Sequence, residues 1–553
     1  MESYKYEPLD ESKQEIRYLT LLPGNQGDDL EVTLAHMSFQ QFRVQDQNEF
    51  GWELRHELEE ARALLPEGWM IENTLEGRLI YWRKGDGRTT TWTHPNASFT
   101  KKTVWDRDKN RERAQFEALS YTWGDPTPVQ PITILRGTVK YRLLITQNLF
   151  EALHYLRYQD KQRQLWVDSV CINQQDFPER SSQVARMDKI YGLARQVTVW
   201  LGTAETNSHL AVQKFQYLGE QMDHLKNRFS VATPGCVDPH LFVKKDLSLH
   251  GDVWEAIEAL LSRKWFQRVW VKQEISLAPP GSTLICGSSS MTWHAFRRAL
   301  IFLSGQNRTT LPNINNLGDL AFGLGGLDPL VVLRSLTRSR CFDPHDRIYG
   351  ILAMVARSWA ARIPVNYRMS TQKLYWKTLL ADLAVNARLD LLDLAAALPE
   401  RGEVIHFDLP CERHLASGFS PPTNEKLDDY CLAVLGRPRT TVRAVSVLVT
   451  DPKDDAMRIA RQWYNDHRQQ HVGNNFQDWE KTFVRTICQN FTLDRYELGC
   501  PSFEAWSDFI LKGEPEIAGP VERDVIAQLD KKSIVTFEDG SFGLGPPTAQ
   551  TGK

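Results

Sequence analysis

A chain of 553 residues is too long for one ordinary domain and suggests about two to four. A hydrophobic share of 42% and a charged share of 24% are those of a soluble globular protein, and a formal net charge of -3 argues against a general nucleic-acid or DNA binder. No apolar run reaches membrane-spanning length, and the polar, acidic start MESYKYEPLDESK is neither a secretory signal nor a transit peptide.

Eight cysteines are scattered without a CxxC pair, which fits free thiols in a reducing compartment, so a cytoplasmic location is expected. Glu15–Leu22 alternates and reads as a strand, and Leu30–Phe42 as another. Trp52–Leu64 has helical character. Leu65–Pro95 carries three short strand patterns with turns at Glu76-Gly77 and Gly85–Gly87, which suit a minimal antiparallel sheet. Thr100–Ala114 is a basic connector. Ala118–Tyr121 is a strand ending in Trp123-Gly124-Asp125. Ile132–Leu135 and Val139–Ile145 flank Arg136-Gly137 and read as a hairpin. Asn148–Tyr158 is a helix with Leu149, Leu153 and Leu156 on one face.

The centre of the chain is LWVDSVCINQQDFPERSSQVARMDKIYGLARQVTVWLG, Leu165–Gly202. Leu165–Asp168 is an apolar strand. Asp176, Pro178 and Glu179 make a helix start, with an N-cap, a first-turn proline and an acid at the third position. Val184, Met187, Ile190, Tyr191 and Ala194 then give one apolar helix face. Val197–Leu201 is a second strand, closed by Gly202. The unit has the length of a right-handed parallel crossover. Its polar residues gather where the first strand ends and the helix begins, the edge where open parallel sheets hold ligands. Further on, Trp254–Leu261 reads as a helix and Arg268–Lys272 as a strand ending in Gln273-Glu274. Thr283–Cys286 is a strand, and Thr292–Leu303, Leu330–Ser339 and Thr371–Asn386 are helices. Asp343-Pro344 with Asp346 is a second helix start of the Asp176 kind. Asn307–Gly326 and Arg401 to about Lys426 are loop-like, and the chain from there to Gly513 is mainly helical.

Three separated blocks carry a resemblance: ALSYTWGD at Ala118–Asp125, WVDSVCINQQDFPERSSQVARMDKIY from Trp166, and RKWFQRVWVKQE at Arg263–Glu274. In this order they resemble the fungal heterokaryon incompatibility (HET) domain. FDPHDRIYGILAM at Phe342–Met354 and the opening YEPLDESKQEIRYLTLLPG resemble segments of the same family. So does the tail, which stops just after a GLGP turn, so that a C-terminal subdomain is either clipped or dispensed with. Leu65–Pro95 resembles a WW domain, through LPxGW, Tyr81-Trp82, Trp92 and Pro95. Tyr81 or Trp82, with Trp92, would then form a groove for a Pro-rich peptide. Lys84, Gly85 and Asp86-Gly87 depart from that family's second strand and turn. The resulting division is 1–64, an N-terminal segment of the HET region; 65–95, the WW-like insertion, expected to be removable without unfolding the core; 115–290, the HET core; 291–440, a helical extension; and 441–553, a C-terminal region.

The HET resemblance implies an α/β fold with a TIR-like or flavodoxin-like parallel sheet and flanking helices. It also implies a part in nonself recognition and programmed cell death. Some TIR domains cleave NAD with a glutamate near a strand end, which makes NAD a candidate substrate, after self-association, with no resident cofactor. Glu179 is the first candidate for that carboxylate; Asp168 and Glu274 are alternatives. Trp123, Asp125, Asn173 and Arg180 are the candidate ligand-binding residues: a ring to stack on a base, polar groups near the strand ends, and a guanidinium for phosphate. Each also has a plainer reading. Glu179 completes a cap with Asp176, Arg180 is an ordinary ion-pair partner, Trp123 is core, and Asn173 ties its loop. Cys171 lacks a protease signature and reads as a buried small residue rather than a nucleophile. No histidines stand at metal-ligand spacing, and no P-loop or dinucleotide fingerprint is present. The competing function is a non-catalytic signalling or scaffold module.

Overall fold

β-Rich segments dominate the first half of the chain. The computed structural model describes residues 1–42, 59–96, 99 and 113–386, apart from 206, 227–228, 245–246, 248, 280, 306–316, 319, 322–327 and 337–338; beyond these it describes 442–445, 456–468, 483, 533–537 and 542–545. The chain divides into two units, Met1–Ile405 and His406–Lys553.

The strands of the first unit are β1 (Glu2–Ser3), β2 (Glu15–Leu21), β3 (Glu31–Ser38), β4 (Trp69–Asn73), β5 (Leu79–Arg83), β6 (Asp86–Thr91), β7 (Glu117–Tyr121), β8 (Val129–Arg136), β9 (Val139–Thr146), β10 (Arg163–Trp166), β11 (Val197–Trp200), β12 (Met222–His224), β13 (Ser230–Ala232), β14 (Thr283–Cys286) and β15 (Ser289–Thr292). Ten of them form one sheet in the order β1-β9-β8-β3-β2-β10-β7-β11-β14-β15. Its centre, β10-β7-β11-β14, is parallel throughout. The wings are mixed: β2 lies antiparallel to β10, and β15 antiparallel to β14. This is an α/β unit with a large sheet and flanking helices. β7 and β11 are buried along their whole length, as strands covered on both faces must be. Glu117 is therefore an acid in the core. Arg163 at 2.6 Å and the Thr198 hydroxyl at 2.7 Å satisfy it.

The flanking helices are α1 (Gln147–Leu156), α2 (Asp168–Cys171), α3 (Phe177–Val184), α4 (Met187–Leu193), α5 (Ser208–Gln221), α6 (Gly251–Leu261), α7 (Val271–Ser276) and α8 (Trp293–Ser304). Two local readings are corrected. The helix expected from Asp176 to Ala194 is broken at Ala185-Arg186 into α3 and α4. The break falls where polar side chains tie back to the N-terminal segment: Gln183 donates to the Glu15 carbonyl at 2.9 Å, and Arg186 pairs with Glu11. Arg268–Lys272 is not a strand; after a single bridge from Arg268 to Arg340 the chain turns into α7. Val271 and Ile275 are both buried, and their four-residue spacing is that of a helix face. Glu274 therefore sits in a helix and closes no strand.

β4-β5-β6 form a separate antiparallel sheet, with Ala61, Ile71, Leu79 and Tyr81 as its small core. It is docked on its neighbour rather than free. Leu75 N–H donates to the His224 carbonyl at 2.8 Å and Lys226 N–H to the Asn73 carbonyl at 3.0 Å. Ile80, Leu225 and Val231 form a shared buried cluster, and each such side chain is worth about 1.5–3 kcal/mol when buried. Arg298 of α8 clamps Glu76 at 3.3 Å and Asp223 at 2.6 Å. These contacts attach a stability cost to removing the insertion, which is expected to leave the core folded.

In the second unit the described residues include an antiparallel sheet of Val442–Val445, Ser533–Phe537 and Phe542–Gly545, and the helix Ala456–Arg468. Most of the expected helical stretch up to Gly513, most of Asn307–Gly326 and the loop from Arg401 lie outside the described residues. Among the described residues, no helix is long and apolar enough to cross a membrane.

Candidate functional site

A cleft of about 290 Å³ opens beyond the carboxyl ends of β7 and β10. One wall is the pair of loops that follow these strands, with Thr122, Trp123, Asp168 and Gln174. A second is the turn from Lys264 to Trp270. The third, Arg340–Asp343 with Asp346 and Tyr367, comes from much later in the chain. The β7 loop is held by its backbone. The Thr122 carbonyl accepts from Asn148 of α1, the Tyr121 carbonyl accepts from Arg268, and Gly124 turns the chain with a φ of 78°. That conformation suits glycine, so the loop can leave the strand sharply and present the ring beside it.

Trp123 and Asp168 meet in this cleft. The indole Nε1 donates to Asp168 Oδ2 at 2.8 Å, while the Ser169 N–H donates to Oδ1 at 2.7 Å. The Trp123 side chain remains 41% exposed, unlike Trp166, Trp200 and Trp265, which are buried in the core. Burial pushes the Asp168 carboxyl above the usual range, and the Arg268 guanidinium and these hydrogen bonds work against that rise.

Glu274 lies behind the wall rather than in it. Ser120 donates to one of its oxygens, Trp265 Nε1 donates in turn to Ser120 Oγ at 2.8 Å, and Arg268 is 3.9 Å away. Burial pushes this carboxyl up to about 7. It reaches the cleft through Arg268 and through its charge interaction with Asp168.

Glu179 is placed differently from the expectation. Its carboxylate faces Arg17 of β2 at 2.5 and 2.9 Å, both side chains being buried, and also accepts the Asn173 N–H at 2.7 Å. Asp176 caps the Glu179 N–H at 3.1 Å. Glu179 thus joins helix, loop and strand, and does not line the cleft. Nor do Asp125, which stands exposed, or Asn173, whose side chain accepts the Gln175 N–H at 3.3 Å. Arg180 does line it, but it is engaged: it pairs with Asp343 at 3.1 Å and lies 3.6 Å over the Tyr367 ring. Cys171 is buried and its thiol is pushed up to about 12, which leaves almost no thiolate at neutral pH.

Sequence reasoning missed the third wall. Asp346 is buried, accepts the Tyr367 hydroxyl at 2.7 Å, and has its carboxyl pushed up to about 6 by burial. Asp343 holds His345 at 2.6 Å, and the other ring nitrogen donates to the Met369 carbonyl at 2.7 Å. Both nitrogens then face acceptors, and the Asp343 contact raises the imidazole above its ordinary value. The signal was the second Asp-Pro helix start, with two aspartates three residues apart. Only its helix-forming role was read.

The insertion's aromatic residues are turned to structural use. Tyr81 is 1% exposed, Trp82 and Trp92 pack against Ile80, Leu225 and Val231, and the Arg78 guanidinium lies 3.5 Å over the Trp92 ring. Among the described residues, no group of three or more His, Cys, Asp or Glu side chains could hold a metal ion.

The first unit is an α/β protein with a large sheet, and its charged, ring-lined cleft lies beyond the parallel strand ends, the edge where such sheets commonly hold ligands. Residues 116–274 match the family model described as "Heterokaryon incompatibility protein (HET)", so the chain carries a HET domain. It is 30% identical over 183 residues to "Heterokaryon incompatibility protein 6, OR allele" of Neurospora crassa, covering 29% of this chain and 27% of that relative. The chain thus spans about a quarter of the length of the curated relative it matches. No solved structure matches.

Proposed function

We propose that this protein acts in heterokaryon incompatibility and nonself recognition, and that its cleft cleaves NAD or a related nucleotide at the bond between base and ribose. The observation that carries this reading is the Trp123–Asp168 pair, an exposed ring beside a carboxylate at the edge where parallel sheets hold ligands. In the proposed step the C–N bond of the nicotinamide–ribose link breaks and its electron pair leaves with the base. The ribose carbon becomes oxocarbenium-like, and the Asp168 carboxylate stabilises it. A water oxygen then bonds to that carbon, and its proton passes to Asp168 or to solvent. The ring of Trp123 holds the base by stacking. The parallel centre, read in sequence order as second, first, third and fourth strand, is the beginning of a flavodoxin-like order and supports the TIR-like comparison. Cleavage after self-association would deplete the nucleotide pool and lead to programmed cell death. The test is expression in a fungal host, scoring viability and cellular NAD. The reading expects death and NAD loss with the wild-type chain and neither with Asp168→Asn at equal protein level. Death with unchanged NAD would refute it.

One observation favours the second reading, a non-catalytic signalling module. Two of the three carboxylates that the sequence singles out, Glu179 and Glu274, are consumed by internal partners. On that reading Asp168→Asn leaves cell death intact.

A further inference from the structure

The cations of the cleft are not equivalent. Arg180 is neutralised by Asp343, and Arg268 donates to the Tyr121 carbonyl and faces Glu274. Lys264 and Arg340 also line the cleft, both exposed, and neither side chain makes a hydrogen bond or ion pair among the described residues. The backbone brings them to one side. Arg340 N–H donates to the Gln267 carbonyl at 2.5 Å and the Val269 N–H donates to the Arg340 carbonyl at 3.1 Å, so the two segments run side by side. Three positive side chains, Lys264, Arg268 and Arg340, therefore line one cavity together with Asp168, Asp343 and Asp346, and of these three cations only Arg268 has an ion-pair partner among the described residues. Lys264 and Arg340 are thus left without a counter-charge of their own, and an anionic group entering the cleft would supply one. The same cavity leaves two large rings uncovered: Trp123, 41% exposed, and Phe342, fully exposed. Isolated exposed apolar side chains are ordinary; two rings beside two uncommitted cations in one concave site are a ligand's imprint.

We propose that Lys264 and Arg340 form a phosphate subsite, so that the cleft takes a nucleotide with its planar base on Trp123 and its phosphate where the second and third walls meet. This rests on the reading of the cleft as a ligand site and deepens it. It replaces Arg180, the residue the sequence offered for phosphate, by two residues with no competing partner. It also places part of the ligand specificity outside the matched family region, because Arg340 lies beyond residue 274. A guanidinium meets two phosphate oxygens in a fork, and the ammonium adds a point charge; both contacts weaken with salt.

The test is titration of the full chain with ADP-ribose, followed by calorimetry, with adenosine as the phosphate-free comparison. The wild type is expected to bind ADP-ribose, more weakly as salt rises. The double variant Lys264→Ala, Arg340→Ala should bind it about tenfold or more weakly, with an unchanged melting temperature and unchanged adenosine binding. ADP-ribose binding that ignores both substitutions, or no binding to the wild type, overturns the subsite. The two proposals fail separately. Arg340-dependent binding without NAD turnover removes the hydrolysis and keeps the subsite, whereas turnover with a KM indifferent to both substitutions does the reverse.

Discussion

The indole of Trp123 and the carboxylate of Asp168 are joined at 2.8 Å across the ends of two neighbouring parallel strands, β7 and β10. The pairing fixes the ring edge-on to the acid and leaves its face open. It also works against the rise that burial imposes on the acid, since a donor to the carboxylate favours the charged form. Trp123→Phe keeps a ring and loses that donor. The Asp168 carboxyl then rises further. If turnover needs the ionised acid, the acid limb of the pH–rate profile moves to higher pH in this variant, while the alkaline limb stays in place. A profile that does not move separates Asp168 from the chemistry.

Glu179 and Arg17 are a buried pair, and breaking one partner leaves the other charged in the core. Glu179→Ala should destabilise the first unit by roughly 3–5 kcal/mol. The double replacement Arg17→Met, Glu179→Met removes both charges and should cost less than either single change. Urea unfolding of Glu179→Ala, Arg17→Met and the double variant checks this. A single Glu179 variant as stable as the wild type contradicts the structural role.

Glu274 makes stability depend on pH. Its carboxyl is pushed up to about 7 in the folded chain against an ordinary 4.5, so between these values the native state holds a proton that the unfolded chain has released. The unfolded state binds fewer protons there, and stability falls as pH rises, by at most about 1.4 kcal/mol per pH unit. The contribution is fully present below 4.5 and gone above 7. Glu274→Gln should flatten the melting temperature between these limits and raise it relative to the wild type at pH above 7. Thermal melts across that window decide it; an unaltered slope would mean that Glu274 is ionised throughout.

The β4-β5-β6 sheet is tied to α8 by the pair Glu76–Arg298. Burial alone would raise this carboxyl, but Arg298 and Arg297 outweigh it and bring it down to about 2. Removing Leu65–Pro95 uncovers Leu225 and Val231 and leaves Arg298 with Asp223 alone. The truncated chain should lose several kcal/mol of stability, on the order of 3–5, seen as a lower melting temperature. Equal melting temperatures would restore the picture of an autonomous insertion.

These cases show which parts of the structure are local in sequence. β7, β10 and β11 were legible because each is a short apolar run bounded by turn residues, and the start of α3 because Asp176, Pro178 and Glu179 are adjacent. Trp123 and Asp168 stand two residues beyond the ends of β7 and β10, so their place at the sheet edge follows from those strands, although Asp168 opens α2 rather than closing β10. Glu179 was mistaken for a cleft residue because its partner, Arg17, stands 162 residues earlier, and nothing near Glu179 announces it. Asp346, Tyr367 and Arg340 were invisible for the converse reason: the third wall arrives by tertiary packing from beyond the matched region. α7 was misread because Val269 and Val271 alternate like a strand, while Val271 and Ile275 equally define a helix face.

The most direct test of the central claim is NAD loss over time with concentrated purified protein, comparing the wild type, Asp168→Asn and Arg17→Met, Glu179→Met. The account predicts turnover in the wild type, none in a folded Asp168→Asn protein, and turnover retained in the folded double variant, whose changes lie outside the cleft. Turnover that survives Asp168→Asn, or its absence from the wild type at every concentration, would contradict it.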